Sequence, residues 1–212
     1  MKAIEIKEVS FSFGKQPIFK DLNLSFDPGE IVGIVGKNGS GKSVLFKLIA
    51  GLIKPKKGEI WVNGKEIGQS KKFADNIGVL IEEPSFLPDL TAYDNLGLLL
   101  SINYKISQEV IENSLDAVGL LEFKDKKVKH FSLGMKKKIG IAQAIMENPK
   151  VLLLDEPMNA LDAESILIMR EMISRLSRNG TTVLIASHNQ EDIDYLCHKV
   201  YRIKDYQLIE EL

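Results

Sequence analysis

The chain has 212 residues, 44% hydrophobic and 27% charged, with a net charge of −1. That length suits one globular domain with a sizeable core. The near-zero charge excludes a global field that would gather nucleic acid or anionic lipid. Cys197 is the only cysteine, which excludes an intramolecular disulfide and suits a reducing cytosol. The first eight residues lack the apolar core of a signal peptide, and no apolar run approaches the ~20 residues needed to span a bilayer. Any membrane role is therefore expected to pass through a partner.

Residues 3–13 alternate in part between apolar and polar, as an antiparallel strand would, and Gly14-Lys15-Gln16-Pro17 reads as a turn. Residues 18–26 alternate again, and Asp27-Pro28-Gly29 leads into the apolar run Ile31-Val32-Gly33-Ile34-Val35. Then comes Gly36-Lys37-Asn38-Gly39-Ser40-Gly41-Lys42-Ser43, a full match to the G-x-x-x-x-G-K-[ST] phosphate loop. A helix to Ala50 follows, stopped by Gly51. The glycines let backbone N–H groups turn inward around an anion, and the helix N-terminus adds positive potential there. Lys42 suits the outer phosphates, and the Ser43 hydroxyl suits Mg²⁺.

Residues 58–65 read as strand, Asn-Gly turn and short strand, and Ile77-Gly78-Val79-Leu80-Ile81 as a buried strand ending at Glu82-Glu83-Pro84. From Thr91 to Ile145 helix signals take over, with Thr91 and Ser107 as N-caps and Gly119 as a stop. This predicts a helical subdomain, about residues 86–145, inserted between strands. Lysines 124, 126, 127, 129, 136, 137 and 138 crowd its far end; we read them as solvated helix faces rather than a nucleic-acid patch.

Val151-Leu152-Leu153-Leu154-Asp155-Glu156 is a buried strand ending in two acids. Asp155 is placed to hold the Mg²⁺ shell opposite Ser43, and Glu156 to polarise a water for attack on the γ-phosphate. Asp162 caps a helix in which Ile166, Met169, Ile173 and Leu176 make one face. Residues 182–186 form a strand followed by Ser187-His188, residues 190–197 a helix, and residues 199–204 and 207–212 a closing pair of strands.

Together these residues resemble the nucleotide-binding subunits of ABC transporters over essentially the whole chain, 1–212. Phe131-Ser132-Leu133-Gly134-Met135 is similar to that family's L-S-G-G-Q signature: Ser132 and Gly134 match, Leu133 and Met135 depart. Asn159-Ala160-Leu161-Asp162 is similar to its D-loop, and His188 to its switch histidine. The resemblance implies an ATP- and Mg²⁺-dependent ATPase built as an α/β phosphate-loop core of ABC type, with an antiparallel β subdomain and a helical subdomain. It implies that Phe13 stacks on adenine, with Phe11 as a competing candidate. Ser132 and Gly134 would hold the γ-phosphate of nucleotide carried by a second copy or a homologous subunit. His130 and His198 match no motif and read as structural.

Glu82 falls where the family usually has Gln, and the resemblance implies a metal-facing role for it. Together with the Ser-Leu-Gly-Met signature it is similar to the bacitracin-export and lantibiotic-immunity branch. The expected partners are integral-membrane subunits, with the chain peripheral on the cytoplasmic face and no nucleic acid involved. Two rivals are a soluble ABC-type ATPase acting on a non-transport partner and a regulatory module without turnover. Intact Lys42, Asp155, Glu156 and His188 argue against the second.

Overall fold

The computed structural model describes residues 1–67, 73–102 and 107–211. The first part holds strands β1 (Ile4–Phe13), β2 (Gln16–Phe26) and β3 (Ile31–Val35), helix α1 (Lys42–Ile49), and strands β4 (Lys57–Val62), β5 (Lys65–Ile67) and β6 (Ile77–Leu80). Helices α2 (Ala92–Leu100), α3 (Gln108–Ala117) and α4 (Leu133–Ile145) follow. Next come β7 (Val151–Asp155), α5 (Ala163–Arg178), β8 (Thr182–Ala186), α6 (Gln190–Leu196), β9 (Lys199–Lys204) and β10 (Gln207–Glu211). Two parts of the expected organisation lie outside the described residues: 103–106 of the helical insertion, and Leu212 at the end of the closing strand.

The first hairpin is tighter than its sequence suggests. The expected turn over residues 14–17 narrows to Gly14 and Lys15, with Phe13 opposite Gln16 and Ser12 opposite Pro17. Pro17 is tolerated inside β2 because β2 is the edge of its sheet, ordered β2-β1-β4-β5, where a missing N–H need cost no ladder bond.

The second sheet is ordered β10-β9-β3-β8-β7-β6, parallel throughout except for the closing β9–β10 hairpin. Every residue of β3, β7 and β8 is buried, which is why these strands read as continuous apolar runs. Their side chains alternate between two cores, as the pleat requires. Val32, Ile34, Val151, Leu153 and Leu184 face α1 and the antiparallel sheet. Ile31, Leu152, Leu154, Val183 and Ile185 face the helices.

Polar side chains fix where the helices begin. Thr91, Ser107 and Asp162 accept from the backbone N–H three residues on, as expected, and Ser132 does the same for α4. Arg170 in α5 donates twice to Asp192 in α6, at 3.0 and 2.7 Å, and also to Glu191 at 3.0 Å. The Arg170–Asp192 pair is buried and ties α6 to α5 just after His188. His198 takes the structural role expected of it: its Nδ1 accepts from Ile31 N at 3.0 Å. Burial pushes the Cys197 thiol up to about 12, so it stays protonated at neutral pH.

Helix α4 lies against β6 through two glycines. A methyl group on Gly78 would sit 1.9 Å from the Ala144 carbonyl oxygen, and one on Gly140 would sit 2.7 Å from Pro84 Cγ. The first contact is backbone, so it cannot relax by rotating a side chain. We expect Gly78→Ala to lose about 1–3 kcal/mol of stability by forcing α4 off the sheet, read as a lower urea midpoint at unchanged slope. A wild-type midpoint would show that α4 adapts.

Candidate functional site: a phosphate loop facing two acids and a histidine

Because β3, β7 and β8 are parallel, their carboxyl ends open on the same side of the sheet. The segment from Gly36 to Ser43 leaves the end of β3 and enters α1. Gly39 and Gly41 sit at φ 76° and 112°, where other residues strain. A methyl group on Gly41 would also meet Ile18 Cγ2 at 2.8 Å. Ser40 N donates to Lys37 O at 3.0 Å and closes the turn. Lys42 is only 8% exposed, and its Nζ donates to the carbonyls of Gly36 at 2.9 Å and Lys37 at 3.5 Å. A buried ammonium satisfied by carbonyls alone is a cation ready for a stronger anionic partner. Ser40 Oγ in the same loop is buried without a partner.

Asp155, 7% exposed at the end of β7, accepts from Ser43 Oγ at 2.5 Å. Glu156 turns away with φ 49°, its N–H on Ala186 O at 2.8 Å. Glu156 Oε2 lies 2.8 Å from His188 Nδ1 and 3.4 Å from His188 N. A carboxylate can only accept, so Nδ1 carries the proton and Nε2 is not used in this contact. Phe13 is 56% exposed while Phe11 is 9% exposed and in the core, their rings edge to face at 5.0 Å. Of the two, only Phe13 offers a free face.

Phe13, Asn38, Gly39, Gly41, Lys42, Ser43, Glu82, Asp155 and Glu156 line one cleft of about 750 Å³. Gly36 and Lys37 support it from behind through Lys42. His188 reaches it through Glu156. Ser132 and Gly134 are not among the lining residues. Ser132 Oγ accepts from Met135 N at 3.1 Å as the α4 cap, and a methyl on Gly134 would meet the Ala160 carbonyl at 2.6 Å. Within one subunit both residues have structural work, and the signature enters the cleft through Leu133 and Lys136 instead.

Two lysines at the cleft do not stand out in the sequence. Lys47 Nζ forms an ion pair with Glu82 Oε1. Lys137, in a run expected to be solvated, is half-buried, with Nζ 3.5 Å from the Asp155 carbonyl. Burial lowers its pKa, opposed by Asp155, Glu156 and Glu83. Lysines earlier in that run differ: Lys124 pairs with Glu112 and Lys129 with Asp89. The helical register that turns Lys137 inward shows only once α4 is docked.

Among the described residues no cluster of three or more His, Cys, Asp or Glu side chains is arranged to hold a metal. Ser43 and Asp155 offer a partial set of hard oxygens, which suits a small cation that keeps phosphate oxygens and waters in its shell. No helix among the described residues is long and apolar enough to cross a membrane.

The ABC transporter family profile matches residues 19–159. A lantibiotic transport ATP-binding protein of Streptococcus pyogenes is 35% identical over 208 residues, covering 98% of this chain and 90% of that protein. A bacitracin transport ATP-binding protein of Enterococcus faecalis is 35% identical over 211 residues, covering 99% of this chain and 68% of that protein. Among solved structures, a dimeric ATP-binding cassette in a post-hydrolysis state bound to ADP and Pi superposes with a TM-score of 0.86 at 26% identity, covering 98% and 97% of the two chains. These relatives lend no support to the alternative of a non-transport ATPase. The chain belongs to the ABC transporter family, as one of its ATP-binding, ATP-hydrolysing subunits.

Proposed function

We propose that the chain powers export of a peptide antibiotic through separate membrane-spanning subunits, seated peripherally on their cytoplasmic face. The observation that supports hydrolysis here is the side-by-side placement of Ser43–Asp155 and Glu156–His188 at the open end of one parallel sheet. The peptide substrate rests on likeness to the bacitracin and lantibiotic transport proteins. In this reading two cassettes enclose two ATP, each between the phosphate loop of one and Ser132 and Gly134 of the other. The helical subdomain of about residues 86–145 carries that signature.

The loop amides and Lys42 bind the phosphates, and Lys42 exchanges carbonyl oxygens for phosphate oxygens. Phe13 stacks on adenine. Mg²⁺, when bound, supplies charge neutralisation at the β- and γ-phosphates; Ser43, Asp155 and Glu82 would hold it. Glu156 orients the attacking water and accepts its proton, while His188 fixes the Glu156 carboxylate and faces the γ-phosphate.

Three outcomes test this reading. Lys42→Ala should weaken ATP binding and cut turnover by ~10² or more, as loss of a charge at the transferring phosphoryl group does. Wild-type affinity and turnover would remove Lys42 from the site. Glu156→Gln keeps shape but loses the base: nucleotide binding should persist, hydrolysis should fall by ~10² or more, and ATP-Mg²⁺ should drive a stable dimer on gel filtration. A monomer under those conditions would count against the paired-cassette mechanism. Finally, expression with its membrane partner in a sensitive bacterium should raise tolerance to bacitracin or a lantibiotic, and Glu156→Gln should abolish the gain. Unchanged tolerance to both peptides would reject the substrate class while leaving the ATPase intact.

A further inference from the structure

Glu82 departs from the pattern of the family, and its surroundings show what its charge meets. Ser43 and Lys47 lie four residues apart in α1, on one face, separated by about one helical turn of ~5.4 Å. Asp155 takes the Ser43 end of that face and Glu82 takes the Lys47 end. Glu82 nevertheless lines the same cleft as Ser43 and Asp155. Its backbone sits at φ 65°, which a non-glycine residue holds only when its surroundings fix it there. Two residues on, Pro84 rests on Gly140 of α4.

We propose that Lys47 is a positioning residue: it holds the Glu82 carboxylate one turn along α1 from the metal position, and the divalent cation that enters with ATP competes with Lys47 for that carboxylate. The proposal rests on the reading of Glu82 as a metal-facing group. A glutamine here would carry no charge for Lys47 to pair with, so the competition belongs to chains with an acid at this position. The hold is weak by construction. The Glu82 side chain is 65% exposed and that of Lys47 32%, so solvent and salt screen the pair and its effect is a factor of a few. A divalent ion against hard carboxylate oxygen can overcome a screened ammonium.

The test measures Mn²⁺ binding, by the electron paramagnetic resonance of the free ion, to the full chain saturated with a non-hydrolysable ATP analogue. Wild type, Lys47→Met, Glu82→Gln and the double variant form a cycle. Lys47→Met should raise Mn²⁺ affinity about three- to five-fold at low salt, less at high salt, and Lys47→Arg should stay near wild type. The rise should vanish in the Glu82→Gln background, and the double variant should bind less tightly than Lys47→Met. No rise in Lys47→Met overturns the hold, provided that adding Glu82→Gln still weakens binding and so keeps Glu82 as a ligand. An equal rise in both backgrounds is bare charge removal and also overturns it. Equal affinities in Lys47→Met and the double variant remove Glu82 from the metal, and the proposal falls with that reading.

Discussion

A carboxylate that is 7% exposed must find a donor, and Asp155 finds it in the Ser43 hydroxyl, 112 residues away in sequence. That one bond closes the cleft. It requires β7 and the β3–α1 turn to end side by side, which the parallel order β3-β8-β7 provides. It also brings the two groups that suit a hard cation to the mouth of the phosphate loop. The next residue, Glu156, turns away through a left-handed backbone to meet His188 at the end of β8. Asp155 and Glu156 are thus adjacent in the chain, and the strained backbone of Glu156 sends their carboxylates to different partners.

The cleft gathers acids and, around them, three lysines. Lys42 rests on two carbonyls of its own loop, Lys47 on Glu82, and Lys137 near the Asp155 carbonyl in the field of Glu83 and Glu156. Carbonyls are weaker partners for Lys42 than a polyphosphate would be, and Lys47 is a weaker partner for Glu82 than a divalent ion would be.

Two contacts join the edge of the cleft to α4. Pro84, two residues after Glu82, rests on Gly140 in α4, while Gly134 at the start of α4 lies against the Ala160 carbonyl. The helix that begins with the signature therefore touches both the loop bearing Glu82 and the loop after Glu156. Gly78 against Ala144 pins the far end of the same helix.

Local chemistry made much of this readable from the sequence. The phosphate loop needs a fixed spacing of glycines, Lys42 and Ser43 between a strand and a helix, and all of it lies in one continuous stretch. The buried parallel strands show as unbroken apolar runs because both faces are covered, and the caps at Thr91, Ser107 and Asp162 act over three residues. Phe11 and Phe13 share one face of β1, and their roles differ because Phe11 packs into the core while Phe13 sits exposed at the strand's end. What the sequence could not supply were contacts between distant segments. Pairing of Lys47 with Glu82 depends on how β6 ends beside α1, and the inward turn of Lys137 depends on how α4 docks at Gly78 and Gly140. The duty of Gly134 is set by a carbonyl in another loop. Spacing along the chain determines which groups exist and which local turns they make; only packing of the sheet and helices decides which charges face one another, because electrostatic partners are chosen by distance in space.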